Sequence, residues 1–364
     1  MDNIWILGGA GRAGRAIAGA LAALGLPVTL VGRNEEALRT AAASFAADAQ
    51  IVTAKSLTSI ADGIAQTKPR VVINTIGPFT KTAVPFVRAC APGTHYLDIG
   101  NELPQFLALF AMNEELARTS RTVVPGVGWG VLGTESVLLK LCEGQPAPKR
   151  VRVDSIAAVE AGGTLGPTLA ETIVDGILYG GRRYVGGKLQ PYLAGSDQEQ
   201  LTLPDGTTAQ TASIASGELE AAYRASKAPE VVACFAGAPS GPVRFVIPIV
   251  AGLLALPALR NFAKKRLAQV EPPPSPRKES WARACVEWAD GTISTAWLQA
   301  GDGYAFLAKA AAITAQQLLE GKGRPGCFTP GALFGPELAV KAGGTFILNS
   351  ESKTRAALDI HRGA

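Results

Sequence analysis

The first third of the chain alternates short apolar runs with alanine- and leucine-rich stretches of helical period. Residues 4–7, 27–31, 50–54, 70–76, 95–99 and 121–125 read as six strands, the fourth almost wholly β-branched. Residues 15–24, 35–47, 57–66 and 103–119 read as helices, as does a stretch bracketed by Pro78 and Pro85 and reaching Cys90. Near-continuous apolar strands joined by helical crossovers predict a parallel sheet covered on both faces. From about Val151 the pattern changes. Residues 151–160, 199–203, 208–214, 231–237, 281–289 and 291–298 alternate only partly, and Trp288 to Gly291 reads as a hairpin turn between the last two. Helical patterns at 166–179, 218–225 and 304–319 accompany them. The expected fold is α/β, a Rossmann-type doubly wound parallel sheet with a second α+β domain built on a mixed or antiparallel sheet. Its expected boundaries are 1–125, 126–328 and a C-terminal segment, 329–364, that opens on Thr329-Pro330 as a helix cap and returns toward the first domain.

Residues 245–259 form an unbroken apolar run containing Pro248 and Pro257, followed by Arg260 and Lys264-Lys265-Arg266. The run is shorter than the roughly 18–20 residues a bilayer span requires. The first expectation is a buried helix or lid on the second domain. A peripheral contact with membrane or a lipidic substrate, and a subunit contact in a homo-oligomer, are the alternatives. Pro272-Pro273-Pro274-Ser275-Pro276 then reads as a stiff connector.

Composition narrows the function classes. With 47% hydrophobic and 18% charged residues the chain is an ordered globular protein, long enough for two domains. The formal charge of +5 is spread along it without a basic block that would mark a nucleic-acid groove, so no nucleic-acid partner is expected. The cysteines at 90, 142, 234, 285 and 327 are isolated, and His95 and His361 are the only histidines; neither a disulfide framework nor a metal site is expected. A first strand at residue 4 leaves no room for a secretory signal, and a cytoplasmic location is expected.

The chemistry begins at the first strand. It runs directly into Gly9-Ala10-Gly11-Arg12-Ala13-Gly14, the Gly-x-Gly-x-x-Gly loop that opens a helix in dinucleotide-binding folds. Gly9 permits a tight turn, Gly11 close approach of a pyrophosphate to the helix N-terminus, and Gly14 packing of helix on strand. Past the second strand, where binders of the unphosphorylated dinucleotide place an acid, stands Arg33. That cation, with Arg12 as a second contact, predicts NADP(H) rather than NAD(H). Asn74, Thr75, Gly77 and Pro78 follow the fourth strand on the cofactor side. The fifth strand ends in Asp98, with Glu102 beyond it, and the sixth runs through a glycine-rich passage to Trp129. Asp98 and Glu102 are the acidic candidates for catalysis, and Tyr184 of the second domain is a candidate proton donor. Trp129, Thr164 (after Gly162-Gly163) and Tyr179 are candidate substrate contacts. His95, at the start of its strand, lies at the wrong end for catalysis. That leaves no base for a Ser/His/Asp arrangement, and the Tyr-x-x-x-Lys pair of short-chain dehydrogenases is missing from the region of the fourth and fifth strands.

Several of these motifs together resemble the saccharopine dehydrogenase-like NADP-binding reductases, in particular the shorter branch that includes trans-acting enoyl reductases. The resemblance rests on Gly8 to Gly14, Gly32-Arg33, Asn74 to Phe79 with its Gly-Pro-Phe, Cys90, Gly93 to Asp98 with its Tyr-x-Asp, and Glu102. Gly162-Gly163-Thr164 and Thr329-Pro330 extend it over most of the chain. It implies an NADP-binding first domain, an inserted substrate domain and hydride transfer in the cleft. Two departures are visible. Asn101 separates Gly100 from Glu102, and the sixth strand exits through Trp129-Gly130-Val131-Leu132 without an Asp or Pro-Ser-Asp. With the long apolar run, they turn the reading toward a reductase of an activated C=C or C=N bond in a relatively apolar small molecule, lipidic or carrier-linked. An opine- or saccharopine-type amino-acid dehydrogenase and a non-catalytic NADP-sensing or lipid-associated protein are the alternatives.

Overall fold

The computed structural model describes residues 3–45, 49–159, 164–271, 275–348 and 353–354. Gly162, Gly163 and Pro272 to Pro274, singled out above, lie outside them. The chain divides into two compact units, the first made of residues 1–132 and 303–343, the second of 133–302 and 344–364.

The first unit begins β1 (Ile4–Leu7), α1 (Arg12–Ala23), β2 (Val28–Gly32), α2 (Glu35–Ala43), β3 (Gln50–Thr53), α3 (Leu57–Thr67), β4 (Val71–Asn74) and α4 (Phe79–Ala89). It continues with β5 (His95–Asp98), α5 (Leu103–Ala111), α6 (Asn113–Arg118), β6 (Thr122–Val124) and the start of α7 (Trp129–Cys142). The single helix expected over 103–119 is therefore two, parted at Met112. All six strands are paired in parallel in the order β6-β5-β4-β1-β2-β3. The order reverses at β1, which lies between β2 and β4, and ligands of such sheets bind at that reversal, beyond the carboxyl ends. Register sets those ends level: Val52, Val31, Leu7, Asn74 and Asp98 form one row across the sheet. Ile4, Ile6, Leu7, Leu30 and Tyr96 are fully buried, as are Ile17, Leu21 and Phe86 from the flanking helices. This burial on both faces is why the strands read as continuous apolar runs rather than alternating ones.

The second unit carries β7 (Arg150–Ile156), α8 (Gly166–Tyr179), β8 (Gly181–Val185), β9 (Lys188–Tyr192), β10 (Glu199–Thr202), β11 (Thr208–Ser213), α9 (Gly217–Ser226) and β12 (Glu230–Ala236). After a 3-10 turn at Gly241–Phe245 come α10 (Ile247–Leu254), α11 (Pro257–Ala268), β13 (Ser280–Glu287) and β14 (Thr292–Ala300). The chain then re-enters the first unit with α12 (Gly303–Leu319), β15 (Gly326–Cys327), α13 (Pro330–Phe334) and α14 (Glu337–Lys341). It ends in the second unit with β16 (Thr345–Leu348) and β17 (Lys353–Thr354). The second sheet follows the order β10-β11-β12-β7-β13-β14-β16; β12 and β7 are parallel and the other neighbours antiparallel, so it is mixed. The β8–β9 hairpin joins it through Tyr184 opposite Val231. Trp281 and Trp297, edge to face at 6.3 Å, anchor an apolar cluster with Ile156, Leu201 and Leu203.

The return of the chain departs from the expected boundaries. Not residues 329–364 but 303–343 rejoin the first unit, where α12 packs along α1 and β15 extends the parallel sheet beside β6. β16 pairs instead with β14. Thr329 and Pro330 do open a helix, with the proline in its first turn. The apolar run at 245–259 departs more sharply from a buried helix. It breaks into the end of the 3-10 turn, α10 and the start of α11, and of its large side chains only Leu254 is buried, because the helix pair packs on α8 along one side. Among the described residues no single helix is long and apolar enough to cross a membrane.

Candidate functional site

The glycine loop is shaped by contacts from three strands. The amides of Gly8 and Gly9 both donate to the Val31 carbonyl, at 2.8 and 3.1 Å, tying the loop to β2. Gly8 takes a φ of +81°, and a Cβ there would stand 2.6 Å from the Thr75 hydroxyl oxygen. That hydroxyl donates to the Leu7 carbonyl at 2.7 Å, so Thr75 fastens the end of β4 to the end of β1. A Cβ on Gly9 would approach Leu30 to 2.8 Å, and one on Gly14 would lie 2.4 Å from the Gly8 carbonyl oxygen. The positive-φ turn therefore belongs to Gly8, one residue before the expected position, while Gly9 provides close packing on β2 and Gly14 lets α1 press against the loop. Gly11, exposed, is the N-cap of α1 and has no side chain with which to cap its first-turn amides. Such a terminus, with the positive end of the helix dipole behind it, suits an anion.

Cations gather around this loop. Arg12 is exposed, and its guanidinium lies over the Tyr304 ring, 4.2 Å from the centroid. Arg33, also exposed, directly follows β2; Asn34 after it caps α2, accepting from the Ala37 amide at 3.1 Å. Arg15 donates to the Ala10 carbonyl at 2.7 Å and, with Asn34, lines a depression of about 480 Å³ between α1 and α2. Tyr304 and Arg15 are additions to the residues read from sequence. Arg15 carries a local signal, since it follows the last glycine of the loop directly. Tyr304 carries none, because it stands on α12, far along the chain, and reaches the loop only through the fold.

The ends of β4 and β5 hold a buried polar chain. Asn74 is fully buried; its amide donates to the Thr82 hydroxyl and to the Tyr96 phenol oxygen, both at 3.0 Å, and accepts from the Ile76 amide at 2.9 Å. Asp98, also fully buried, accepts from the Gly100 amide at 2.9 Å, the Gly126 amide at 3.1 Å and the Gln105 side chain at 2.7 Å. Burial pushes the Asp98 carboxyl up to about 6, against these donors and the Tyr96 phenol, which favour the carboxylate. Burial and the neighbouring Asp98 push the Tyr96 phenol well above its ordinary value. Asn74 and Asp98 thus brace the loops at the carboxyl edge from within. Gly77 and Pro78, joined by a cis peptide, lead into α4. Pro78 is the N-cap of α4 and offers no side-chain cap; Glu102 supplies one, accepting from the Phe79 amide at 3.1 Å and the Thr80 amide at 2.7 Å. Trp129 is buried edge-on against Phe306, with ring centroids 5.0 Å apart.

In the second unit the candidates are dispersed. Tyr184 is buried, stacked on Tyr223 at 3.8 Å, and its phenol donates to Glu220 at 2.5 Å; burial and that carboxylate push its titration far up. Glu220 is also paired with Arg224 at 2.6 Å. Tyr179 carries the Arg182 guanidinium over its ring, and Thr164 is exposed. A different cluster, missed in the sequence, occupies one face of the mixed sheet. Asp154 is fully buried and accepts from Arg152 at 2.8 Å, Arg283 at 3.3 Å and the Thr211 hydroxyl at 2.7 Å, with Glu199 joining both arginines. Strand pairing makes it: Asp154 stands opposite Arg283, and Glu199 opposite Thr211. No group of histidine, cysteine, aspartate or glutamate residues suited to a metal ion occurs among the described residues.

No family model matches the sequence, and no curated protein matches it. The fold has counterparts among solved structures. Apo saccharopine dehydrogenase (L-Glu forming) from Saccharomyces cerevisiae superimposes with a TM-score of 0.62, covering 96% of this chain and 100% of its own at 14% identity. The WlbA dehydrogenase from Thermus thermophilus, in complex with NAD and alpha-ketoglutarate, covers 94% of this chain and 92% of its own at 12% identity, with a TM-score of 0.41. Serine dehydrogenase from Escherichia coli covers 34% of this chain and 80% of its own at 15% identity, with a TM-score of 0.30. At such identities the likeness is one of fold, and with saccharopine dehydrogenase it spans nearly the whole chain.

Proposed function

We propose that this protein is an NADP(H)-dependent oxidoreductase of the saccharopine dehydrogenase-like class. The observation that carries the reading is the carboxyl edge of β1 and β2, where a glycine loop closed against Leu30 and the Gly8 carbonyl opens α1 between exposed Arg12 and Arg33. A dinucleotide suits these residues: side chains at Gly9 or Gly14 would fill the close contacts that shape the loop, and the helix N-terminus has no cap of its own. Gly9 to Gly14 would hold the pyrophosphate, and Arg33 and Arg12 the 2'-phosphate. When bound, the nicotinamide supplies or accepts a hydride. Thr75 and the Asn74–Tyr96–Asp98 chain keep the adjoining loops in one conformation, which positions reactants without taking part in bond making. Glu102 serves the same end through α4.

The reaction we favour is reduction of an activated C=C or C=N bond in a relatively apolar, lipidic or carrier-linked small molecule. An opine-type amino-acid dehydrogenase is the second reading, supported by the shared fold with saccharopine dehydrogenase. Titration of the purified protein with NADPH and NADH side by side tests the first step. Tighter binding of NADPH supports the proposal, and oxidation of NADPH with enoyl substrates, set against amino acid plus 2-oxo acid, separates the two reactions. Binding of neither dinucleotide overturns both and favours a non-catalytic role.

A further inference from the structure

Many of the apolar side chains of the second unit are buried, yet one segment of three consecutive elements shows a group of them to solvent. Val243, Phe245, Ile249 and Phe262, on the 3-10 turn, α10 and α11, are each about six-tenths exposed. Val246, Ile249 and Leu253 recur at the spacing of one helical stripe on α10. On α11 the exposed stripe runs from Leu259 through Phe262 to Lys265 and Arg266, passing from apolar to basic within two turns.

The pair is anchored from its other side. Lys264 bonds Glu171 at 3.0 Å and Asp175 at 2.8 Å on α8, Leu254 is buried, and the Arg260 guanidinium donates to the Leu254 carbonyl at 3.0 Å, closing the bend between the helices. That bend is 112°, so the two helices do not form one straight rod through a bilayer. Arg244 lies over the Phe245 ring and Arg266 over Phe262, cations seated beside the rings they flank.

Charge decides what such a face meets. From Ala236 to Val270 the sequence holds five cations and no aspartate or glutamate; Lys264 and Arg260 are engaged on the anchored side, and Arg244, Lys265 and Arg266 stand beside the exposed apolar side chains. A second copy placed symmetrically on the same face would bring cation against cation, with no acid in either segment to meet it. An anionic lipid surface answers both properties, burying apolar stripes at the acyl boundary while basic side chains reach headgroup phosphates.

We propose that α10 and α11 form an interfacial anchor that seats this protein on anionic bilayer surfaces, lying in the interface plane rather than crossing it. The inference is independent of the cofactor reading.

The test is flotation of the full-length protein with two kinds of vesicle, phosphatidylcholine alone and phosphatidylcholine containing about 30% phosphatidylglycerol. The expected result is partitioning at least about tenfold stronger to the anionic vesicles, weakened by high salt. Two variants, Ile249→Ser/Leu253→Ser/Phe262→Ser and Lys265→Glu/Arg266→Glu, should each lose it while keeping the wild-type melting temperature, because every substituted side chain already faces solvent. Absence of wild-type binding to either vesicle, or equal binding to both, overturns the proposal. So does a wild-type dimer that the triple substitution turns into a monomer, which would make this face a subunit contact.

Discussion

In the proposed cofactor site, the group at the carboxyl end of β2 that would select the dinucleotide is a single charge. Arg33 stands where an acid would accept ribose hydroxyls, and it is exposed beside the N-terminus of α2. Arg33→Ala is expected to weaken NADPH binding by about tenfold or more and to leave NADH binding nearly unchanged, because only the former brings a 2'-phosphate. Equal losses in parallel titrations would contradict the 2'-phosphate assignment. Asp98 makes a prediction of another kind. An unfolded aspartate titrates near 3.9, whereas burial raises Asp98 to about 6 in the native state. Between those values the folded protein holds a proton that the unfolded chain has released. The contribution of this group is therefore fully present below about pH 4 and lost as pH rises through about 6. The stability of wild type relative to Asp98→Asn should fall by about 2 kcal/mol between pH 4 and pH 7, read from urea unfolding at each pH. A difference that stays constant across that range would mean that Asp98 titrates normally.

Among the elements, α4 shows how a helix end is completed from elsewhere in the chain. Pro78 gives it a fixed entry but no acceptor, and the Glu102 carboxylate crosses from the start of α5 to take the first two amides. The negative charge also faces the positive end of the α4 dipole. Glu102→Ala should cost about 1–2 kcal/mol of stability, and Glu102→Gln, which keeps one acceptor, about half as much. Thermal unfolding of the two variants would show it, and equal melting temperatures would remove the cap from the account. Sequence legibility varies at this scale for physical reasons. The parallel strands are legible because burial on both faces leaves an unbroken apolar signature. The β8–β9 hairpin is absent from the sequence reading, although Gly186-Gly187 carries the signal: both residues take positive φ, 58° and 73°, in the two-residue turn between the strands. Its strands are half-exposed and broken by Arg182-Arg183 in one and by Gln190-Pro191 in the other, and so lack apolar alternation.

For the whole molecule, the feature that matters most is that the first unit is discontinuous. α12 packs along α1, its Tyr304 lies under Arg12, and β15 supplies the seventh strand beside β6. A fragment spanning residues 1–132 is accordingly expected to unfold without a sharp cooperative transition, since α1 would expose the face α12 covers. The same fragment joined by a flexible linker to residues 303–343 should unfold cooperatively. Calorimetry of both would check this, and a sharp transition in the shorter one would show that the return segment is dispensable.

Local pattern determined much of the first unit: the parallel strands, the glycine loop at their switch point, the cation after β2 and the change of grammar near residue 151. These depend on neighbours a few positions apart, so periodicity and spacing carry them. Tertiary structure alone decided what the polar candidates do. Asp98 and Asn74 became internal braces, Glu102 a cap for a helix begun 23 residues earlier, and Tyr184 a partner of Glu220, because a side chain's role follows from the atoms that topology brings to it. The Asp154 cluster and the exposure of α10 and α11 have the same origin. A buried charge is tolerable only where pairing supplies opposite charges, and an apolar stripe is core or contact surface according to whether anything packs on it.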